Sequence, residues 1–98
     1  MAHCPPERLG DVRAVLAEIR RWPEIEERKP GIFYLKRNAF LHFHVDRDER
    51  RWADVRDGKD WGVELDLAFG AGASAQARFL REARRRYEAT LAAKAKRS

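Results

Sequence analysis

The sequence predicts a single α+β domain: an N-terminal helix, an antiparallel meander of about four strands and a long C-terminal helix, with both helices on one face of the sheet. Three observations carry this. Leu41, Phe43 and Val45 alternate with His42, His44 and Asp46, the period-two pattern of a strand with one dry and one polar face. Short polar turns separate this run from its neighbours, which suits hairpins and not crossovers. The two ends of the chain instead carry apolar residues at helical spacing.

At 98 residues the chain supports one modest core and not two, and its 38% of charged residues, mixed in sign along most of its length, argues against disorder. Residues 1–8, with Pro5-Pro6, have no periodic pattern and are expected to form a loose leader. Asp11 is placed to cap a helix whose apolar positions are Val12, Val15, Leu16 and Ile19, and Pro23 should stop it near Arg21. Residues 24–28 suit a short edge strand. Pro30-Gly31 is a turn, since proline fixes one φ and glycine accepts a positive one. Ile32–Arg37 reads as a strand, Arg37-Asn38 as a tight turn and Ala39–Asp46 as the central strand. A charged turn at 47–50 leads to the strand Arg51–Arg56, and Asp57-Gly58 signals a hairpin into Trp61–Leu67. Ser74 is the expected N-cap of the last helix, whose stripe is Phe79, Leu80, Ala83, Tyr87 and Leu91; residues 92–98 should fray as a basic tail.

Register converts these strands into two faces. Phe33, Leu35, Leu41, Phe43, Val45, Ala53, Val55, Val63, Leu65 and Leu67 are expected under the helices. Tyr34, Lys36, His42, His44, Asp46, Trp52, Asp54, Arg56, Glu64 and Asp66 are expected on the other side. A shared face requires hairpin loops with an odd number of residues. A three-residue loop Arg56-Asp57-Gly58, pairing Val55 with Lys59, is therefore expected over a two-residue one.

The polar face holds the candidate chemistry. His42-x-His44 on a strand sets two imidazoles on one side, roughly 7 Å apart at the backbone, with Asp54 the expected neighbour. Two histidines and a carboxylate are a ligand set for a divalent metal, and an imidazole beside a carboxylate also suits acid–base work. Asp46, Glu64 and Asp66 are further carboxylates in reach. Trp52 and Trp61, with Tyr34 and Phe40 on the polar side, would add an aromatic platform, with Arg56 on the same face; the competing reading puts at least one tryptophan under a helix, and Trp61, which shares parity with Val63, is the better candidate for the core. No nucleophile has a recognisable context: the serines and threonine are Ser74, Ser98 and Thr90, and the one thiol is Cys4.

Charge is uneven. From residue 78 onward, eight Lys/Arg face two Glu, so this segment supplies the excess behind the net charge of +5. Arg78, Arg81, Arg84, Arg85 and Arg86 wind around the last helix, where they would contact phosphates or simply form a solvated face. A single cysteine excludes an intrachain disulfide and a multi-thiolate zinc site. No apolar run approaches the roughly 18–20 residues of a membrane span, and no secretory signal is visible. The expectation is a reduced, cytoplasmic protein.

The strings Lys29-Pro30-Gly31-Ile32-Phe33-Tyr34-Leu35, Ala39-Phe40-Leu41-His42-Phe43-His44 and Arg51-Trp52-Ala53-Asp54-Val55 resemble a family of small bacterial proteins without an assigned activity. The resemblance covers about residues 24–90 and implies a stand-alone bacterial domain; it brings no site residues. The function expected from the residues is a small non-enzymatic binding module using the face around His42, His44, Trp52 and Asp54, with self-association as a dimer through that face. The alternative is a metal-dependent or acid–base enzyme at His42, His44 and Asp54. A nucleic-acid binder acting through the arginine-rich helix is third.

Overall fold

The computed structural model describes residues 2–96. Its elements are β1 (Ala2–His3), two 3-10 turns at Pro6–Arg8 and Gly10–Val12, α1 (Arg13–Arg20), β2 (Ile25–Lys29), β3 (Ile32–Leu35), β4 (Asn38–Val45), β5 (Arg51–Asp57), β6 (Asp60–Trp61), β7 (Leu65–Asp66) and α2 (Ala73–Ala95). The strands form one antiparallel sheet in the order β2-β3-β4-β5-β6, with β1 also on β4 and β7 also on β5. The chain is thus an α+β domain of the expected plan.

One face of the sheet is covered by both helices. Val15, Leu16 and Ile19 of α1 and Phe79, Ala83 and Tyr87 of α2 join Phe33, Leu35, Leu41, Phe43, Ala53, Val55 and Leu67 in one buried cluster. Phe43 stacks on Phe79 at 5.6 Å between ring centroids. The Tyr87 hydroxyl donates to the Pro23 carbonyl at 2.6 Å, fastening α2 to the chain where α1 has ended.

Five local expectations are corrected by turn geometry. The β3–β4 turn is Lys36-Arg37, one residue upstream of the expected Arg37-Asn38, and both residues have positive φ (50° and 80°). A two-residue loop reverses parity, so an extra residue must restore it. Phe33 pairs with Leu41 but Tyr34 with Ala39, which leaves Phe40 as a bulge. Phe40 therefore turns into the core with Leu41 and meets Tyr87 edge-on, not on the polar face. Likewise the β5–β6 loop is Gly58-Lys59, pairing Asp57 with Asp60 and Arg56 with Trp61, and not the expected three-residue loop. This puts Trp61 on the face of Arg56 and leaves Val63, expected in the core, 81% exposed. The buried Arg86 guanidinium fills the break between β6 and β7, donating to the Val55 and Val63 carbonyls. Gly62 makes room for it, since a Cβ there would lie 2.5 Å from Arg86 Nη1.

Two caps and the leader also differ. α1 begins after the 3-10 turn at Gly10–Val12, and α2 begins at Ala73; neither has a side-chain cap, and the Ser74 hydroxyl accepts from Arg78 instead. Residues 2–8 are docked: Ala2 pairs with Val45, His3 with His44, and the Cys4 amide donates to Phe43 O at 3.0 Å. Cys4 and Leu9 are buried. Of the expected frayed tail, α2 continues through Ala95, and Arg97 and Ser98 lie outside the described residues.

Gly31 tests this packing. Its φ is +79°, and a Cβ would lie 2.9 Å from Leu9 Cδ1. Gly31→Ala should cost about 1–3 kcal/mol through backbone strain and the clash together. A chemical-denaturation midpoint unchanged by this substitution would contradict the packing of Leu9 on the turn.

Candidate functional site

The uncovered face of the sheet is built on β4. Because β4 and β5 keep an even register, His42 lies opposite Asp54 and His44 opposite Trp52. On the other side of β4, β1 sets His3 opposite His44. The result brings together all three histidines of the chain. Their ring centroids form a nearly equilateral triangle: 5.5 Å for His3–His42, 5.3 Å for His3–His44 and 5.5 Å for His42–His44. One nitrogen from each ring lies within 4.8 Å of the other two.

Hydrogen bonding inside the trio is incomplete. His44 Nε2 lies 2.9 Å from Asp54 Oδ2 and 3.4 Å from His42 Nδ1, while His44 Nδ1 is buried without a partner. The pKa of His42 is lowered, first by burial and then by the neighbouring His44 and His3, with Asp54 opposing. Burial and crowding therefore favour a neutral His42 ring with a lone pair to offer.

Aromatic and cationic groups bracket the imidazoles. His44 stacks on Trp52 at 5.5 Å, and Arg50 lies over the same indole at 4.6 Å while pairing with Glu64 and Asp66. At the other end His42 meets the edge of Trp61 at 4.9 Å, and Arg56 lies over Trp61. The Arg56 guanidinium donates to the Ala39 and Lys59 carbonyls. Arginine held flat on indole by such contacts gains cation–π energy without losing its charge.

Of the residues singled out from sequence, His42, His44, Asp54 and Trp52 are brought together, with Arg56 at the rim. Trp52 is 2% exposed, so it is the floor under His44 and not an open platform. Tyr34 stands apart, paired with Ala39 and covered by Arg28 at 3.9 Å. One contributor, His3, was not foreseen, and another, Trp61, was preferred for the core. His3 reaches the site only through the pairing of β1. Trp61 joins it because the Gly58-Lys59 turn holds two residues, an arrangement that glycine at the first turn position could have signalled.

Nucleophiles are elsewhere. Cys4 is buried in the core, and the Thr90 hydroxyl donates to the Arg86 carbonyl while accepting from the Gly58 amide. Nor do the arginines of α2 gather on one surface. Arg86, expected among the phosphate contacts, is buried, and its guanidinium also pairs with Glu82. Arg85 is held by Asp57 and Glu82, Arg84 by Glu88, and Arg78 by Ser74. Arg81 lines an apolar groove between α1 and α2 with Ala14, Trp22 and Leu80.

Fold and site together define a small α+β domain with a sheet open on one side and a ring-lined histidine cluster at its centre. Comparison with family models, curated proteins and solved structures gave no match. Among the described residues no helix is long and apolar enough to cross a membrane.

Proposed function

We propose that this protein is a non-enzymatic binding module whose ligand-contacting surface is the open sheet face around His42, His44, Asp54 and Trp61. The observation that supports it most is the contrast between the faces. One side of the sheet is packed under two helices, whereas the other carries converging imidazoles, an acceptor carboxylate and an indole that is 41% exposed. Exposed aromatic area beside fixed polar groups is the composition of a recognition surface. Binding is favoured over nucleophilic catalysis because the Cys4, Ser74 and Thr90 groups are engaged or buried away from the imidazoles. A reducing, cytoplasmic location goes with this reading, in which Cys4 serves as a buried free thiol.

The test is a compound screen on the isotope-labelled, untagged chain, read by amide and indole chemical shifts. Changes should concentrate at His42, His44, Asp54 and the Trp61 indole, and Trp61→Ala should weaken the compounds that cause them. Changes concentrated instead at Ala14, Trp22 and Leu80 would move the binding surface to the helix groove and reject the proposal. Self-association through the open face is a second reading, favoured by the exposure of Trp61 and Val63, two large apolar side chains two residues apart. It requires a dimer by light scattering that Trp61→Ala returns to monomer.

A further inference from the structure

The open face has a centre, and its chemistry is specific. All three histidines of the chain meet there, although His3 comes from a two-residue strand at the far end of the sequence. One of them, His44, also touches the Asp54 carboxylate at 2.9 Å. The three are arranged about a common point, with centroid separations that agree within 0.2 Å (5.3 to 5.5 Å).

The nitrogen spacing fits a coordination shell. A metal–nitrogen bond of about 2.0–2.1 Å in a tetrahedral site puts adjacent ligand nitrogens about 3.3–3.4 Å apart. His42 Nδ1 and His44 Nε2 are 3.4 Å apart. His3 also offers a ring nitrogen, one nitrogen from each of the three rings lying within 4.8 Å of the other two, and the His3 side chain is exposed and free to adjust to an ion. Asp54 Oδ2, 2.9 Å from His44 Nε2, stands where a fourth ligand or a close counter-ion would be needed. Trp52 and Trp61 hold two of the rings by stacking and edge contact, which fixes their orientation before any ion arrives.

We propose that His3, His42 and His44 together bind one divalent transition-metal ion, with Asp54 beside it. The inference rests on the reading of the open face as the binding surface and names its ligand. A set of imidazoles with a carboxylate and no thiolate suits zinc, nickel, copper or cobalt in the divalent state. Cys4, the one thiol that would draw softer ions, is buried in the core. Binding is a simple association in which the ion takes the place of protons or water on the ring nitrogens. It involves no change of oxidation state.

The experiment uses the full chain without a histidine tag, stripped with chelator and dialysed. Zinc chloride is titrated by calorimetry, and cobalt(II) is followed by its visible absorption. One ion per chain should bind at micromolar concentration or tighter, and cobalt should give intense ligand-field bands of a four-coordinate site. His3→Ala, His42→Ala and His44→Ala should each weaken zinc by more than the roughly 10–100-fold that loss of a group behind a metal ligand costs. Asp54→Asn should weaken it less. His3→Ala keeps the test decisive even if the β4 variants fold poorly, because His3 lies on a terminal two-residue strand. Zinc affinity unchanged by His3→Ala, or no saturable binding of zinc, would overturn the three-histidine site. If compounds still shift Trp61 in that event, the open face remains the binding surface without its metal; if neither binds, both readings fall.

Discussion

Asp11→Ala should destabilise the domain by about 3 kcal/mol, the low end of what breaking a buried ion pair costs. The reason is Arg51. Its side chain is fully buried, yet it carries a charge that cannot be removed at ordinary pH. The fold accommodates it by using every donor. Nε gives to Leu67 O, Nη1 to Arg8 O and Asp11 Oδ1, and Nη2 to Asp11 Oδ2 and Ala68 O. Removing the Asp11 carboxylate strands the charge and two N–H groups, and also takes away the acceptor of the exposed Gly70 amide, which donates to Asp11 Oδ2. Asp11 is 35% exposed, so water reaches part of the gap, which is why the smaller figure is expected. In a double-mutant cycle, Asp11→Ala with Arg51→Met should cost clearly less than the two single losses combined. Additive losses would show that the pair does not act as a unit.

The same pair sets the acid limit. Asp11 is held down to about 2 by its bonds from Arg51, and Glu82 to about 2 by Arg85 and Arg86. A carboxyl whose folded pKa is depressed contributes stability that is fully present above its unfolded pKa and is lost as pH falls toward the folded value. Stability should therefore be flat above pH about 5 and decline between pH about 4 and 2. Asp11→Asn should flatten part of that slope, and an unaltered acid profile in the variant would remove Asp11 from the account.

Arg51 also shows where sequence patterning stops. Its parity matches Ala53 and Val55, so a strand whose odd residues face the core already places it inside, where a charge would not be expected. The period-two runs of β4 and β5 correctly set His42, His44 and Asp54 on one face, because a long unbroken ladder transmits register. The errors at Phe40, Trp61 and Val63 all arise at strand ends, where a two-residue turn reverses parity and a bulge or break reverses it back. Glycine at the first position of Gly58-Lys59 was a local signal for one of these turns, whereas Lys36-Arg37 carries no comparable one. The role of His3 was less legible still. Met-Ala-His-Cys-Pro-Pro has no periodicity, and the strand at Ala2 and His3 depends on pairing far along the chain.

That dependence leads to the second large effect. Zinc in excess should stabilise the domain by about 2.7 kcal/mol when free metal exceeds the dissociation constant about 100-fold, provided it binds the folded chain alone. The unfolded chain retains the His42-x-His44 pair and will bind some metal through it, so the measured gain should fall short of that figure. Only folding brings His3 to the other two, and this difference between two and three imidazoles is the source of the stabilisation. The gain should also be local. β1 is fastened by two residue pairs and the Cys4 amide bond to Phe43 O, so an ion joining His3 to β4 would add a cross-link where the strand is weakest. Amide exchange at Cys4 should slow in zinc beyond the change seen in the middle of β4. His3→Ala should lose both the extra stability and the extra protection at Cys4 while leaving the metal-free protein nearly as stable as before. Equal stabilisation of the parent and the His3→Ala chain would place the ion on some other group and detach β1 from its binding.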